Sequence, residues 1–184
     1  MISCIILAGG EARRMQGQDK GLVHYRQRPL IEHVLERVRP QVDDITISAN
    51  RNLEQYANYA ARVVTDTQPG FSGPLAGIAS CLPCCRHELA LVVACDMPLL
   101  PHDLVACLSQ AIADHDIAII SCDSHQQLAL LVKTGVLNSI TAALSSNQFR
   151  LLDWVSSRNT VAVEYSDKAA FANLNTLNDL EPGS

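Results

Sequence analysis

Short apolar runs alternate along this chain with amphipathic stretches of helical length, and no other feature restricts the fold as much. Residues 3–8 (SCIILA) are a compact apolar run ending in Gly9-Gly10, which reads as a buried strand entering a glycine loop. Residues 44–49, 62–65, 116–121, 127–133 and 161–165 read as further strands. Residues 89–95 (LALVVAC), the most apolar run, read as a central strand buried on both faces. Helices are predicted over 29–39, 74–82, 101–113 and 135–144. Pro29 suits a first helical turn and Pro40 an exit. This order predicts an α/β fold of three layers, a mostly parallel central sheet with helices on both faces. Ligands of open α/β sheets bind at the carboxyl ends of the strands. Gly9-Gly10, Asn50, Asp66 and Asp96 each follow a predicted strand, so all are expected at one sheet edge.

The 184 residues suffice for one domain, at about 150 residues each. With 48% hydrophobic and 18% charged residues, the chain as a whole is not of the disordered class. A net charge of −5 and only 4% aromatic residues argue against a nucleic-acid partner. No apolar run approaches the ~20 residues of a membrane span, and no membrane partner is expected. The apolar first ten residues have no basic region before them, unlike a secretory signal. An odd number of cysteines, seven, then points to free thiols and a cytoplasmic location.

The segment from Leu7 to Gly21 (LAGGEARRMQGQDKG) carries the chemistry. Adjacent glycines let main-chain N–H groups approach phosphate oxygens, while Arg13 or Arg14 and Lys20 supply positive charge. It is not a P-loop, because Lys20 stands between Asp19 and Gly21. It is not the G-x-G-x-x-G fingerprint either, because the glycine after Gly9-Gly10 is Gly17. Asp96, at the end of the most apolar strand, either caps the turn near Pro98 or holds Mg²⁺ with substrate phosphates completing the octahedron. Asp66 suits a base, a sugar, a metal or simply the turn before Pro69-Gly70, and Asn50 suits a sugar or phosphate. Gly73 and Gly77 flank a helix start, a place that favours anions. Cys81-x-x-Cys84-Cys85 with His87 lacks the four spaced ligands of a structural zinc site. No G-x-S-x-G elbow is present.

Several motifs together resemble one family. They are Leu7-Ala8-Gly9-Gly10, Arg14-Met15, Gly17-x-Asp19-Lys20-Gly21, Pro29-Leu30, Ala49-Asn50-Arg51, Asp66, Gly73-Pro74-Leu75-Ala76-Gly77, Cys95-Asp96-Met97-Pro98 and Phe171-x-Asn173-x-Asn175-Thr176. In this order they are similar to the molybdenum cofactor guanylyltransferases, nucleotidyltransferases with a Rossmann-like α/β domain. The resemblance implies that GTP and molybdopterin, or Mo-molybdopterin, give the guanine dinucleotide cofactor and pyrophosphate. It implies nucleotide contacts from Leu7, Ala8, Gly9, Gly10, Gly17, Lys20, Asn50, Asp66 and Asp96, with Mg²⁺ on Asp96. Arg14, Lys20 and Asp96 would carry catalysis. Gly73, Gly77, Arg150, Asn173 and Asn175 would serve the pterin. The implied organisation is one domain over 1–184, with a nucleotide part over about 1–100 and a pterin part over about 101–184. Implied partners include molybdenum-insertion enzymes and molybdoenzyme chaperones. Gln16, Gln126-Gln127 and Leu177 depart from the family's usual residues. The alternative expectation is a related CTP-dependent nucleotidyltransferase acting on the cytosine-pterin cofactor or on a sugar or polyol phosphate, since base choice rests on loop geometry.

Overall fold

The computed structural model describes residues 1–9, 18–67 and 73–174. Strand β1 (Ser3–Leu7) is followed by a two-stranded ribbon, β2 (His24–Tyr25) and β3 (Arg28–Pro29), and by helix α1 (Leu30–Val38). Then come β4 (Asp44–Ser48), α2 (Leu53–Ala57), β5 (Arg62–Val64), α3 (Gly73–Cys81) and β6 (Leu89–Ala94). The second half runs α4 (Leu104–Ile112), β7 (Ile117–Cys122), β8 (His125–Lys133), α5 (Leu137–Ser145), α6 (Leu151–Ser156) and β9 (Thr160–Glu164).

Seven strands form one sheet in the order β5-β4-β1-β6-β8-β7-β9. Every neighbouring pair is parallel except those of β8, which runs against both β6 and β7. The expected mostly parallel sheet is therefore present. Its one reversed strand follows from a two-residue turn, Asp123-Ser124, whose positive φ angles of 49° and 62° fold β7 directly back on itself.

Period-two burial builds the two outer layers. Cys4 and Ile6 of β1 and Leu91 and Val93 of β6 face a core formed with Ile31, Val34, Leu35 and Val38 of α1 and with Leu104 and Leu108 of α4. Ile5, Ala90 and Val92 face the other way, against Leu75 and Ile78 of α3, Ile140 of α5 and Trp154 of α6. The i, i+4 spacing of Leu30, Val34 and Val38 puts them on one buried face of α1, as the sequence predicts.

Differences from the sequence expectations concern short elements. α4 starts at Leu104 rather than at Pro101, because Asp103 holds a non-helical conformation at its N-cap. The predicted 135–144 helix begins as a 3₁₀ turn, Thr134–Val136, before α5. The β2–β3 ribbon, α2 and α6 have too few residues to display a period. Yet Trp154 on α6 and Tyr56 on α2 are among the largest fully buried side chains.

Candidate active site

Parallel register aligns three strand ends. Leu7 pairs with Ser48 on one side and with Ala94 on the other. The residues beyond them extend the ladder: Ala8 N–H donates to Ser48 O at 2.8 Å, and Cys95 N–H donates to Leu7 O at 3.0 Å. Ala49 N–H donates to Val64 O at 3.0 Å, which brings the end of β5 level as well. A cavity of about 430 Å³ opens at this edge. Leu7, Ala8, Gly9, Lys20, Asp66 and Asp96 line it, and so do Ser48 and Cys95. Gly73, Pro74 and Gly77, at the start of α3, form its opposite wall with Leu128 and Asn173.

Two polar pairs organise the cavity. Lys20 Nζ lies 2.5 Å from Asp96 Oδ2 and donates to it. Asn50 Nδ2 donates to Asp66 Oδ2 at 2.8 Å, and Asp66 N–H donates back to Asn50 Oδ1 at 2.9 Å. This two-way pairing fixes the Asp66 carboxylate. Its other oxygen, Oδ1, is buried with no hydrogen-bond partner among the described residues. A buried acceptor left open on a cavity wall suits a donor arriving with a ligand.

The cavity is narrow for a reason visible at Gly77. A β-carbon there would lie 2.6 Å from Ser48 Oγ and 3.1 Å from Leu7 Cδ2. Only glycine lets α3 approach the ends of β1 and β4 so closely.

A second cavity, also of about 430 Å³, adjoins the first. Gln126, Gln127, Arg150 and Asp153 line it, and it shares Pro74, Leu128 and Asn173 with the first. Leu174 N–H donates to Asp96 O at 3.0 Å, so the segment carrying Asn173 is tied to the strand end carrying Asp96.

The structure thus brings together Leu7, Ala8, Gly9, Lys20, Asp66, Asp96, Gly73, Gly77 and Asn173, with Asn50 attached through Asp66. Arg150 faces the adjoining cavity rather than the first. Gly10, Arg14, Gly17 and Asn175 lie outside the described residues. Sequence reasoning missed Ser48 and Leu128. Ser48 had a signal, a polar residue ending a strand whose neighbours mark the site. Leu128 had none, because only the reversal of β8 brings it here.

Burial keeps the thiols near the site in their protonated form. Burial above all, then the charges of Asp96 and Asp19, pushes the Cys95 thiol well up. Cys81, on α3, hydrogen-bonds with Ser48 of the cavity lining, whereas Cys85 lies toward the other end of the sheet, where Arg86 N–H, next to it, donates to Ser3 Oγ at 3.0 Å. Burial raises Cys81 to about 12 and Cys85 to about 11. Among the described residues, no group of three or more His, Cys, Asp or Glu side chains is placed to hold a metal ion.

Residues 4–161 match the family described as the MobA-like NTP transferase domain. A molybdenum cofactor guanylyltransferase from Shewanella amazonensis is 41% identical over 184 residues, which span 98% of this chain and 94% of that one. Among solved structures, molybdopterin-guanine dinucleotide biosynthesis protein A from Archaeoglobus fulgidus aligns with a TM-score of 0.80 at 24% identity, covering 97% and 94% of the two chains. The 4-diphosphocytidyl-2C-methyl-D-erythritol synthase from Anaerococcus prevotii aligns with a TM-score of 0.73 at 15% identity, again over 97% and 94%. At these identities the two structures speak for the fold alone.

Proposed function

Because this chain belongs to the MobA-like NTP transferase family, with molybdenum cofactor guanylyltransferases as its relatives, we propose that it transfers GMP from GTP to molybdopterin or Mo-molybdopterin. An oxygen of the pterin's terminal phosphate attacks the α-phosphorus of GTP. The bond to the β-phosphate breaks, and pyrophosphate leaves with the electron pair. No protein nucleophile is required, so the chain's part is positioning and charge stabilisation.

The observation that carries this reading is the Lys20–Asp96 pair in the wall of the first cavity, with the Asp96 main chain tied to the segment of Asn173, a residue that lines both cavities. In this reading the first cavity takes GTP. The main chain at Leu7, Ala8 and Gly9 contacts the nucleotide, and Asn50 with Asp66 holds the nucleoside. The open Oδ1 of Asp66 supplies an acceptor for a ribose hydroxyl or a base N–H. Lys20 neutralises phosphate, and Arg14 keeps the role that its place in the sequence motif suggests. Asp96 offers the hard oxygen donor that Mg²⁺ takes, with phosphate oxygens and water completing the shell. Bound there, Mg²⁺ would supply charge neutralisation on the phosphates.

The adjoining cavity takes the pterin, with Arg150 and Asn173 as its polar contacts and Gly73 and Gly77 shaping the boundary. The division into a nucleotide part over about 1–100 and a pterin part over about 101–184 belongs to this proposal. So do a cytoplasmic location and hand-over from molybdenum-insertion enzymes to molybdoenzyme chaperones. No helix among the described residues is long and apolar enough to cross a membrane.

The test is pyrophosphate release from GTP with and without molybdopterin, with CTP in parallel. Release from GTP only when the pterin is present is expected. Faster release from CTP, or none from GTP, overturns the proposal.

A further inference from the structure

Asp19 is a buried carboxylate beside the site that the transfer chemistry leaves unused. Tyr56 Oη donates to its Oδ1 at 2.5 Å, and Asn52 Nδ2 donates to its Oδ2 at 3.0 Å. Arg51 Nε stands 3.5 Å from the same Oδ2. Both carboxylate oxygens are therefore engaged by donors from one short stretch, residues 51–56, which runs from just before α2 to near its end. The next residue in the chain is Lys20, which opens a 3₁₀ turn closed by Leu22 N–H donating to Asp19 O at 3.0 Å. That turn lies flat on Tyr56: a β-carbon at Gly21 would be 2.5 Å from Tyr56 Oη. Tyr56 is fully buried, and burial above all raises its hydroxyl pKa, so it stays a donor.

We propose that Asp19, clamped by Tyr56 and Asn52, is a positioning residue that holds Lys20 at Asp96. The clamp also joins the two ends of the nucleotide site. Asn50, immediately before Arg51 and Asn52, pairs with Asp66 on the nucleoside side. The same stretch grips the phosphate-side lysine through Asp19. The inference rests on the guanylyl-transfer reading for its kinetic consequence but not for its geometry.

Tyr56→Phe tests it, because the ring that packs on Gly21 remains and the hydroxyl donor is lost. Misplacing a charge without removing it lowers kcat more than it raises KM. The expected result is a kcat about tenfold to a hundredfold lower, with KM for GTP changed less than about twofold. In a Lys20→Ala background the same substitution produces no further loss, since coupled groups are not additive. Asn52→Gly, at a position with φ of 52°, gives a smaller loss in the same direction without disturbing the core.

A second readout needs no turnover. The chain has three lysines, so the Lys20 ammonium signal in an NMR spectrum is assigned by its loss in Lys20→Ala. It is expected to exchange slowly in the parent protein and to broaden or shift in Tyr56→Phe. If the parent makes no pyrophosphate from GTP and molybdopterin, the transfer reading fails and this signal still decides the clamp. An unchanged Lys20 signal, or equal kcat losses in both backgrounds, overturns the proposal.

Discussion

Asp96 has 6% of its surface exposed and an ammonium group 2.5 Å from one oxygen, so removing its carboxylate has two separable effects. Lys20 keeps 27% of its side chain accessible and can turn to water. The stability cost of Asp96→Ala should then stay near the ~1 kcal/mol of partly solvated pairs. Mg²⁺-dependent pyrophosphate release should be lost altogether. A melt within a few degrees of the parent, beside absent turnover, is the expected result; full turnover would remove Asp96 from the mechanism. Lys20, Asn50, Asp66 and Asp96 were legible in the sequence because each ends a strand or sits in the glycine loop that follows one. Tyr56 was not. It stands 37 residues from Asp19, and nothing in its neighbours distinguishes it from an ordinary helix residue facing a core. Partners that meet only after folding leave no local trace.

At the scale of elements, α3 illustrates two opposed effects at Gly77. Alanine would favour the helix by about 1 kcal/mol over glycine. Its β-carbon would overlap Ser48 Oγ, on a strand held in the sheet on both sides, and overpacking of this kind costs roughly 1–3 kcal/mol. The overlap wins, since Ser48 is 2% exposed and has no room to withdraw. Gly77→Ala should lower the urea midpoint by an amount worth roughly 1 kcal/mol and weaken GTP binding in calorimetry. A parent-like midpoint would show that α3 shifts freely. The long strands and helices were readable from period two and period 3.6. The short ones were not: α2 and α6 are five and six residues long, and what fixes them is one large side chain each, Tyr56 and Trp154. Trp154 also ties α6 to α5 by donating to Ser139 Oγ at 3.2 Å.

Across the whole molecule, buried thiols lie in both core layers, Cys4 on one side of the sheet and Cys81 on the other. Burial raises Cys4, Cys81, Cys85 and Cys95 above the ordinary thiol value of 9.0, with Cys85 at about 11 and Cys81 at about 12. Above pH 9 an unfolded chain releases thiol protons that the folded chain retains. The folded state then binds more protons, and stability falls as pH rises. Below pH 9 this contribution is fully present. The urea midpoint should hold level from pH 7 to 8.5 and decline from 9 through 10.5; Tyr165, raised to about 12, adds to the loss above 10. A midpoint flat to pH 10.5 would contradict the burial of these thiols. One further consequence belongs to the reversed strand. β8 presents its beginning, not its end, at the working edge, so Leu128 reaches the shared wall from a two-residue hairpin instead of a crossover helix. A hairpin tip accepts insertions that a packed crossover rejects. The rim on the Arg150 side can therefore be lengthened and rewritten while the parallel half stays fixed. Under the proposed function that rim borders the pterin cavity, so a longer β7–β8 tip would alter the acceptor side without shifting the register of Leu7, Ser48 and Ala94.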